Sequence, residues 1–106
     1  MPGGSTPQVT GVYQGNNGQR IFDSQHNDID ESTIDVSCRA GSCEIHLDER
    51  IWWQWSRRDN WNLNAGGRVN TTVEVDSSWY DGDHRLFIIA TADNTGVDVS
   101  FSSRDR

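Results

Sequence analysis

The sequence predicts an all-β protein, a small antiparallel β-sandwich or barrel of about eight short strands. Apolar and polar residues alternate with a two-residue period in several segments, as in strands buried on one face. Glycine and asparagine turns separate these segments at short intervals. No segment has the apolar spacing of an amphipathic helix, and 106 residues is the length of one domain.

The two ends of the chain are predicted to lie outside the folded domain. Residues 1–8 combine Gly, Pro, Ser and Thr and are interpreted as a flexible arm. Residues 9–102 are then a single β domain, and residues 103–106 are a C-terminal tail.

The first predicted strands cover residues 9–13 and 19–23. An Asn-Gly pair lies in the turn between them, which is a strong short-range signal for a β-hairpin. Residues 24–31 are polar and acidic, and they are predicted to form a loop.

The alternation is clearest in residues 33–48, where it predicts a hairpin around the loop at residues 39–42. In that hairpin Cys38 faces Cys43, at a spacing that suits a disulfide. A disulfide would indicate an oxidising compartment and hence a secreted or extracellular protein. The alternative is a pair of reduced, buried thiols.

The second half of the chain contains four further predicted strands and two predicted loops. The strands are residues 51–55, 68–76, 85–91 and 97–101, and the loops are residues 56–67 and 77–84. The most continuously apolar segment, residues 85–91, is predicted to be the central strand. One parity of the strands gives the predicted core: Val36, Ile45, Val73, Val75, Ile88, Val99, Phe101 and the side chains of Trp53 and Trp55.

The net charge of the chain and the positions of its basic residues exclude some classes of binding partner. The net charge is −7, there is no lysine, and the basic residues include only one adjacent pair, Arg57 and Arg58. A surface that follows phosphates needs a basic stripe, so we expect no nucleic acid binding. No segment reaches the ~18 apolar residues of a membrane helix, so no membrane insertion is expected.

Tryptophan indicates a binding site. The chain has five Trp. Trp52 lies opposite the core parity of its predicted strand, and Trp61 lies in a predicted polar loop. Indole rings stack on the apolar faces of sugars, and amide or guanidinium groups bind sugar hydroxyls. We therefore predict a non-catalytic, lectin-like site in the loop at residues 56–67 and beside it, with these ligand-binding residues: Trp52, Arg58, Asn60, Trp61 and Asn62. The ligand is expected to be a glycan or a protein.

Two other functions compete with carbohydrate binding. An acidic secreted effector, toxin or inhibitor would use the same Trp-rich loop as a protein-binding hot spot. A small hydrolase would use His46 with Glu44 or Asp35 for acid–base chemistry. No catalytic motif is present and no cofactor is predicted. The acidic loops offer oxygens for Ca²⁺, but neither has the spacing of an EF-hand.

Overall fold

The chain folds into two four-stranded antiparallel sheets, which confirms the all-β prediction. The computed structural model describes residues 7–105. The strands are β1 (Gln8–Gly15), β2 (Arg20–Ile29), β3 (Glu31–Ala40), β4 (Ser42–Ile51), β5 (Gln54–Asn64), β6 (Arg68–Glu74), β7 (Gly82–Ala90) and β8 (Thr95–Arg104). The first sheet has the order β1-β8-β3-β6 and the second sheet has the order β2-β7-β4-β5. No helix within residues 7–105 is long and apolar enough to cross a membrane.

The first and last strands reach slightly beyond residues 9 and 102. Most of the predicted arm, residues 1–6, lies outside the described residues, as does residue 106 of the predicted tail. Strand β1 begins at Gln8, and β8 continues to Arg104. The backbone N–H of Ser103 donates to the carbonyl of Pro7 at 2.9 Å, so the two ends of the described chain are hydrogen-bonded to each other.

The core lies between the two sheets and follows the predicted parity. Most of the predicted core residues are buried, and Val73 is half-buried against them. Ile88 is fully buried on β7, an inner strand of the second sheet, as the prediction of a central strand requires. The alternation therefore predicted the inward-facing residues correctly except for Trp53 and Trp55, which are not part of the core.

The predicted hairpins at residues 9–23 and 33–48 are both wrong, because β1 and β2 lie in different sheets, and so do β3 and β4. Strand β3 pairs with β6 and β8 in the first sheet, whereas β4 pairs with β5 and β7 in the second. The chain changes sheet at Gly41, whose φ of 73° favours glycine. Val36 and Ile45 therefore belong to one core but come from opposite sheets. Apolar and polar residues alternate in the same way in a hairpin and in two strands joined by a corner between sheets, so the pattern does not distinguish them.

Two predicted loops are strands. Residues 24–29 belong to β2 and residues 56–64 belong to β5, the two edge strands of the second sheet. Edge strands are often polar because charged side chains there discourage pairing with other chains. The composition of these two segments is therefore similar to that of a loop.

The predicted strand at residues 51–55 is wrong, because the chain turns there. Trp52 and Trp53 form the turn between β4 and β5, and Trp53 is 80% exposed rather than in the core. Trp55 lies next to the guanidinium groups of Arg50 and Arg85, at 4.6 and 4.5 Å from the ring centroid.

The predicted disulfide is absent: Cys38 and Cys43 are buried free thiols. They are not a cross-strand pair, because β3 and β4 lie in different sheets. The Cys38 thiol donates to the carbonyl of Ala40 at 3.4 Å. Burial, together with the neighbouring Cys38, raises the pKa of the Cys43 thiol to about 12. The structure therefore removes the disulfide as an argument for an oxidising compartment.

We expect both thiols to resist alkylation by iodoacetamide in the folded protein and to react once it is unfolded in guanidinium. The reason is that the thiolate is the reactive form, and burial disfavours it. Mass spectrometry after each treatment counts the modified cysteines. Rapid modification of the folded protein, or no modification of the unreduced protein after unfolding, would contradict the expectation.

Candidate functional site

Four large aromatic side chains are exposed at one end of the sandwich. They are Trp52 and Trp53 in the β4–β5 turn and Trp79 and Tyr80 in the loop between β6 and β7, with exposed fractions of 66%, 80%, 87% and 54%. We call this set the aromatic tip. Contiguous exposed apolar groups mark ligand sites more often than isolated ones do.

The backbone of the turn makes the aromatic tip unusual. Trp52 has a φ of 79°, a left-handed conformation that is rare for a bulky residue. A hairpin turn with positive φ at its first central position normally has glycine there. Strained residues of this kind cluster at functional sites. The chain therefore presents two tryptophans where turn chemistry alone would favour small residues.

The rings of the aromatic tip meet at steep angles. The Trp52 ring lies 4.9 Å from that of Tyr80, at 59° between the planes, and 5.9 Å from that of Trp53, at 79°. A groove of about 270 Å³ follows the turn, lined by Ile51, Trp52, Trp53 and Gln54. The groove combines two indole surfaces with one side-chain amide.

The loop that carries Trp79 and Tyr80 is held by its own hydrogen bonds. The hydroxyl of Ser77 accepts from the backbone N–H groups of Trp79 and Tyr80 at 3.3 and 3.1 Å. The N–H of Val75 donates to the carbonyl of Asp30 at 2.7 Å. These bonds fix the backbone of the loop beside the β4–β5 turn.

A group of three carboxylates includes Asp81, the residue that follows Tyr80 of the aromatic tip. Oxygens of Asp30, Asp81 and Asp105 all lie within 4.8 Å of one another. The hydrogen bond with Asp30, burial, and repulsion from Asp30 and Asp105 raise the pKa of Asp81 to about 6. Ca²⁺ takes six to eight oxygens, and only three carboxylate oxygens, one from each residue, converge here. We assign no metal ligand in this group.

We expect Asp81→Asn to stabilise the protein at about pH 7 and to lose this advantage at about pH 4. The pKa of Asp81 is raised from 3.8 to about 6, so the folded state binds a proton that the unfolded chain releases. The stability of the wild type therefore falls as pH rises through this window, whereas asparagine is neutral throughout. Denaturant melts of both proteins at the two pH values test this. An equal difference at both values would contradict the charge mechanism.

A buried polar network lies just below the aromatic tip. Four hydrogen bonds link His26, Ser103, Ser32, His84 and Glu49 in that order, with lengths of 2.7, 2.7, 2.6 and 2.7 Å. The two serines come from the first sheet, and the histidines and the glutamate come from the second. The network therefore joins the two sheets at the end that carries the tip. From the sequence, only the histidines and the glutamate could be singled out as candidate functional residues. The serines come next to them only after folding.

The electrostatics of this network favour an ionised glutamate. Burial pushes the pKa of Glu49 up, but the hydrogen bonds from His84 and the N–H of Asp76 outweigh it and lower the pKa. Burial, and next His84, lower the pKa of His26. The ionised Glu49 lies 2.7 Å from Nε2 of His84, and the Ser32 hydroxyl is hydrogen-bonded to Nδ1 of the same ring at 2.6 Å.

Ser32, His84 and Glu49 have the residue types of a hydrolytic triad but not its exposure. Ser32 and His84 are fully buried, and Glu49 is 5% exposed. A nucleophile needs room for a substrate carbonyl beside it and donors for the oxyanion. The network is therefore structural.

The structure separates the residues of the predicted binding site. Trp52 belongs to the aromatic tip, whereas Trp61 is half-buried against the core and pairs with Ile45. Asn60 and Asn62 are exposed on β5, opposite His46 and Glu44 of β4. Arg58 lies 3.5 Å from Glu49 and donates to the carbonyl of Glu74 at 3.3 Å.

Sequence reasoning missed Trp79, Tyr80 and the exposure of Trp53. The first two lie in a loop that the sequence did predict, so their exposure could have been expected from that loop. Their approach to Trp52 depends on strand order, which the sequence pattern does not determine.

The residues of the hydrolase alternative are also only partly together. His46 stacks on Phe87 at 4.9 Å, contacts the Arg57 guanidinium and lies 3.5 Å from Glu44. Asp35 is in the first sheet, where Arg68 binds it at 2.8 Å, so the predicted pairing of Asp35 with His46 is wrong. The hydrogen bond from Arg68 lowers the pKa of Asp35.

No known protein family matches the sequence, and comparison with curated proteins finds no similar one. The fold is similar to part of a chain in the crystal structure of the T13 viral particle of IBDV, an icosahedral virus. The identity is 10%, the TM-score is 0.49, and the alignment covers 97% of this chain and 31% of the viral one. The chain thus spans about a third of its neighbour's length. A likeness at this level carries no argument about function.

Proposed function

We propose that the protein is a non-catalytic carbohydrate-binding domain and that the aromatic tip is its binding site. The observation that carries the proposal is the exposure of Trp52 and Trp53 in a turn where Trp52 has a φ of 79°. Rings that stay 66% and 80% exposed contribute little burial to folding, and the positive φ costs stability. The arrangement is explained by a ligand that covers the rings.

Sugars suit the chemistry of this surface. The apolar C–H faces of a pyranose ring pack on indole, and its hydroxyls need donors and acceptors at the rim. Here Gln54 lines the groove of the turn, and the carboxylates of the neighbouring loop can accept from hydroxyls. The groove is short and open, which suits a few sugar units. Such a ligand is met outside cells, so we also propose a secreted or extracellular location.

A protein ligand is the second candidate for the same surface. Trp and Tyr dominate the hot spots of protein interfaces, and all four residues of the aromatic tip are of these types. This would suit the acidic effector or inhibitor that the composition also allows.

A glycan array, followed by isothermal titration calorimetry on the best ligands, separates the two candidates. For carbohydrate binding we expect saturable, reproducible binding to a related group of oligosaccharides that a Trp52→Ala, Trp53→Ala double variant loses. The control is the Asn60→Ala variant, which changes an exposed residue of β5 outside the aromatic tip. No binding across the array, or equal binding by the double variant, would contradict the proposal.

A further inference from the structure

The charged groups around the aromatic tip are predominantly acidic. Glu74 ends β6, and the loop that follows contains Asp76 and Asp81 and no basic residue. Arg58, which donates to the carbonyl of Glu74, lies 3.5 Å from the carboxylate of Glu49, so its charge is matched. On the β4 side, Arg50 donates to Asp83 at 2.8 Å, so its charge is matched by a carboxylate. A ligand at the tip therefore meets a negative potential.

The aromatic rings act in the same direction as the carboxylates. The face of an indole carries the negative part of its quadrupole and attracts ammonium groups within ~6 Å of the ring centre. The 79° angle between Trp52 and Trp53 forms a corner in which a compact cation can contact one face while its substituents contact the other ring. An anionic group in the same corner would be repelled by both the rings and the loop.

We propose that the aromatic tip selects glycans that carry amino or quaternary ammonium groups over neutral glycans and rejects acidic ones. This proposal rests on the proposed function and names the class of sugar for that site. The ammonium group lies against the indoles on the side of Asp81, and the sugar ring packs on the remaining aromatic surface. No covalent step is involved.

The test uses three short β-linked oligosaccharides in calorimetric titrations at low and at moderate salt. They are an N-acetylated chitin oligomer, which is neutral, a trimethylated chitosan oligomer of the same backbone, whose charge is fixed, and an oligomannuronate, which is anionic. We expect the cationic oligomer to bind at least about tenfold more tightly than the neutral one, which is a ~1.4 kcal/mol difference. Salt should reduce this ratio, and the anionic oligomer should bind most weakly.

Two isosteric variants locate the charge that is responsible. Asp81→Asn should lower the ratio of cationic to neutral affinity at least about threefold, as expected from the removal of one nearby charge in a partly screened site. Asp93→Asn makes the same change of net charge in the β7–β8 turn, at the opposite end of the sandwich, and should leave the ratio unchanged. Equal effects of the two variants would show non-specific attraction and overturn the assignment to the tip.

Failure of this inference is distinguishable from failure of the proposed function. If the neutral and cationic oligomers bind equally and both need Trp52, the function stands and the charge selectivity is wrong. If no oligosaccharide on the array or in the titrations binds, the carbohydrate proposal itself is wrong.

Discussion

Trp52→Gly and Trp52→Ala are both expected to weaken glycan binding at least about tenfold, or ~1.4 kcal/mol, yet to differ in stability. Both variants remove the ring that contacts Trp53 and Tyr80, so both lose the corner of the aromatic tip. Only alanine keeps a Cβ at a φ of 79°. We therefore expect the glycine variant to be more stable than the alanine variant by about 1 kcal/mol.

Comparing two variants at one position separates strain from ring contacts. Calorimetric titration measures the loss of binding, and denaturant melts measure the free energy of unfolding. Equal stability of the two variants would mean that the turn is not strained in the free protein. Full binding by either variant would remove Trp52 from the site.

His84→Ala is expected to destabilise the protein by about 3–5 kcal/mol, because it removes one partner of a buried pair. His84 is fully buried and bonds both Glu49 and Ser32. Without the imidazole, the Glu49 carboxylate loses its 2.7 Å donor, and the Ser32 hydroxyl loses a partner. Domains of this size have only ~5–15 kcal/mol of stability, so this loss is a large fraction of the total.

His46→Ala is the matched control for that variant. It is the same substitution in the same sheet, but His46 lies on the outer face, against Phe87. We expect it to cost about 1 kcal/mol, the usual size for a partly exposed contact. Chemical denaturation of both variants measures the difference. Similar costs would show that the buried network contributes no more than surface contacts do.

The fold class and the core were predictable because they depend on local alternation. Val36, Ile45 and Ile88 could be assigned to the interior from parity, which is set by the geometry of a strand whatever its neighbours are. Strand pairing was not predictable in the same way. A hairpin and a corner at Gly41 give the same pattern, and only contacts with distant strands distinguish them.

The candidate site was predictable in its chemistry but not in its place. Trp52 was expected to leave the core, and it is exposed; Trp61 was expected beside it, but it faces Ile45. Edge strand β5 is polar because its outer side meets solvent, and polarity was interpreted as a loop. The contact between Trp52 and Tyr80 depends on the order of the strands in the sheet, which local sequence patterns do not determine.

The most direct test of the proposed site is a two-dimensional ¹H–¹⁵N NMR titration that follows the five tryptophan indole N–H signals as glycan is added. The proposal predicts shifts of the signals from Trp52, Trp53 and Trp79, each assigned by substitution. Trp55, which lies against Arg50 and Arg85, and the half-buried Trp61 serve as internal controls and should move little. Shifts confined to Trp55 and Trp61, with the three exposed indoles unchanged under saturating ligand, would contradict it.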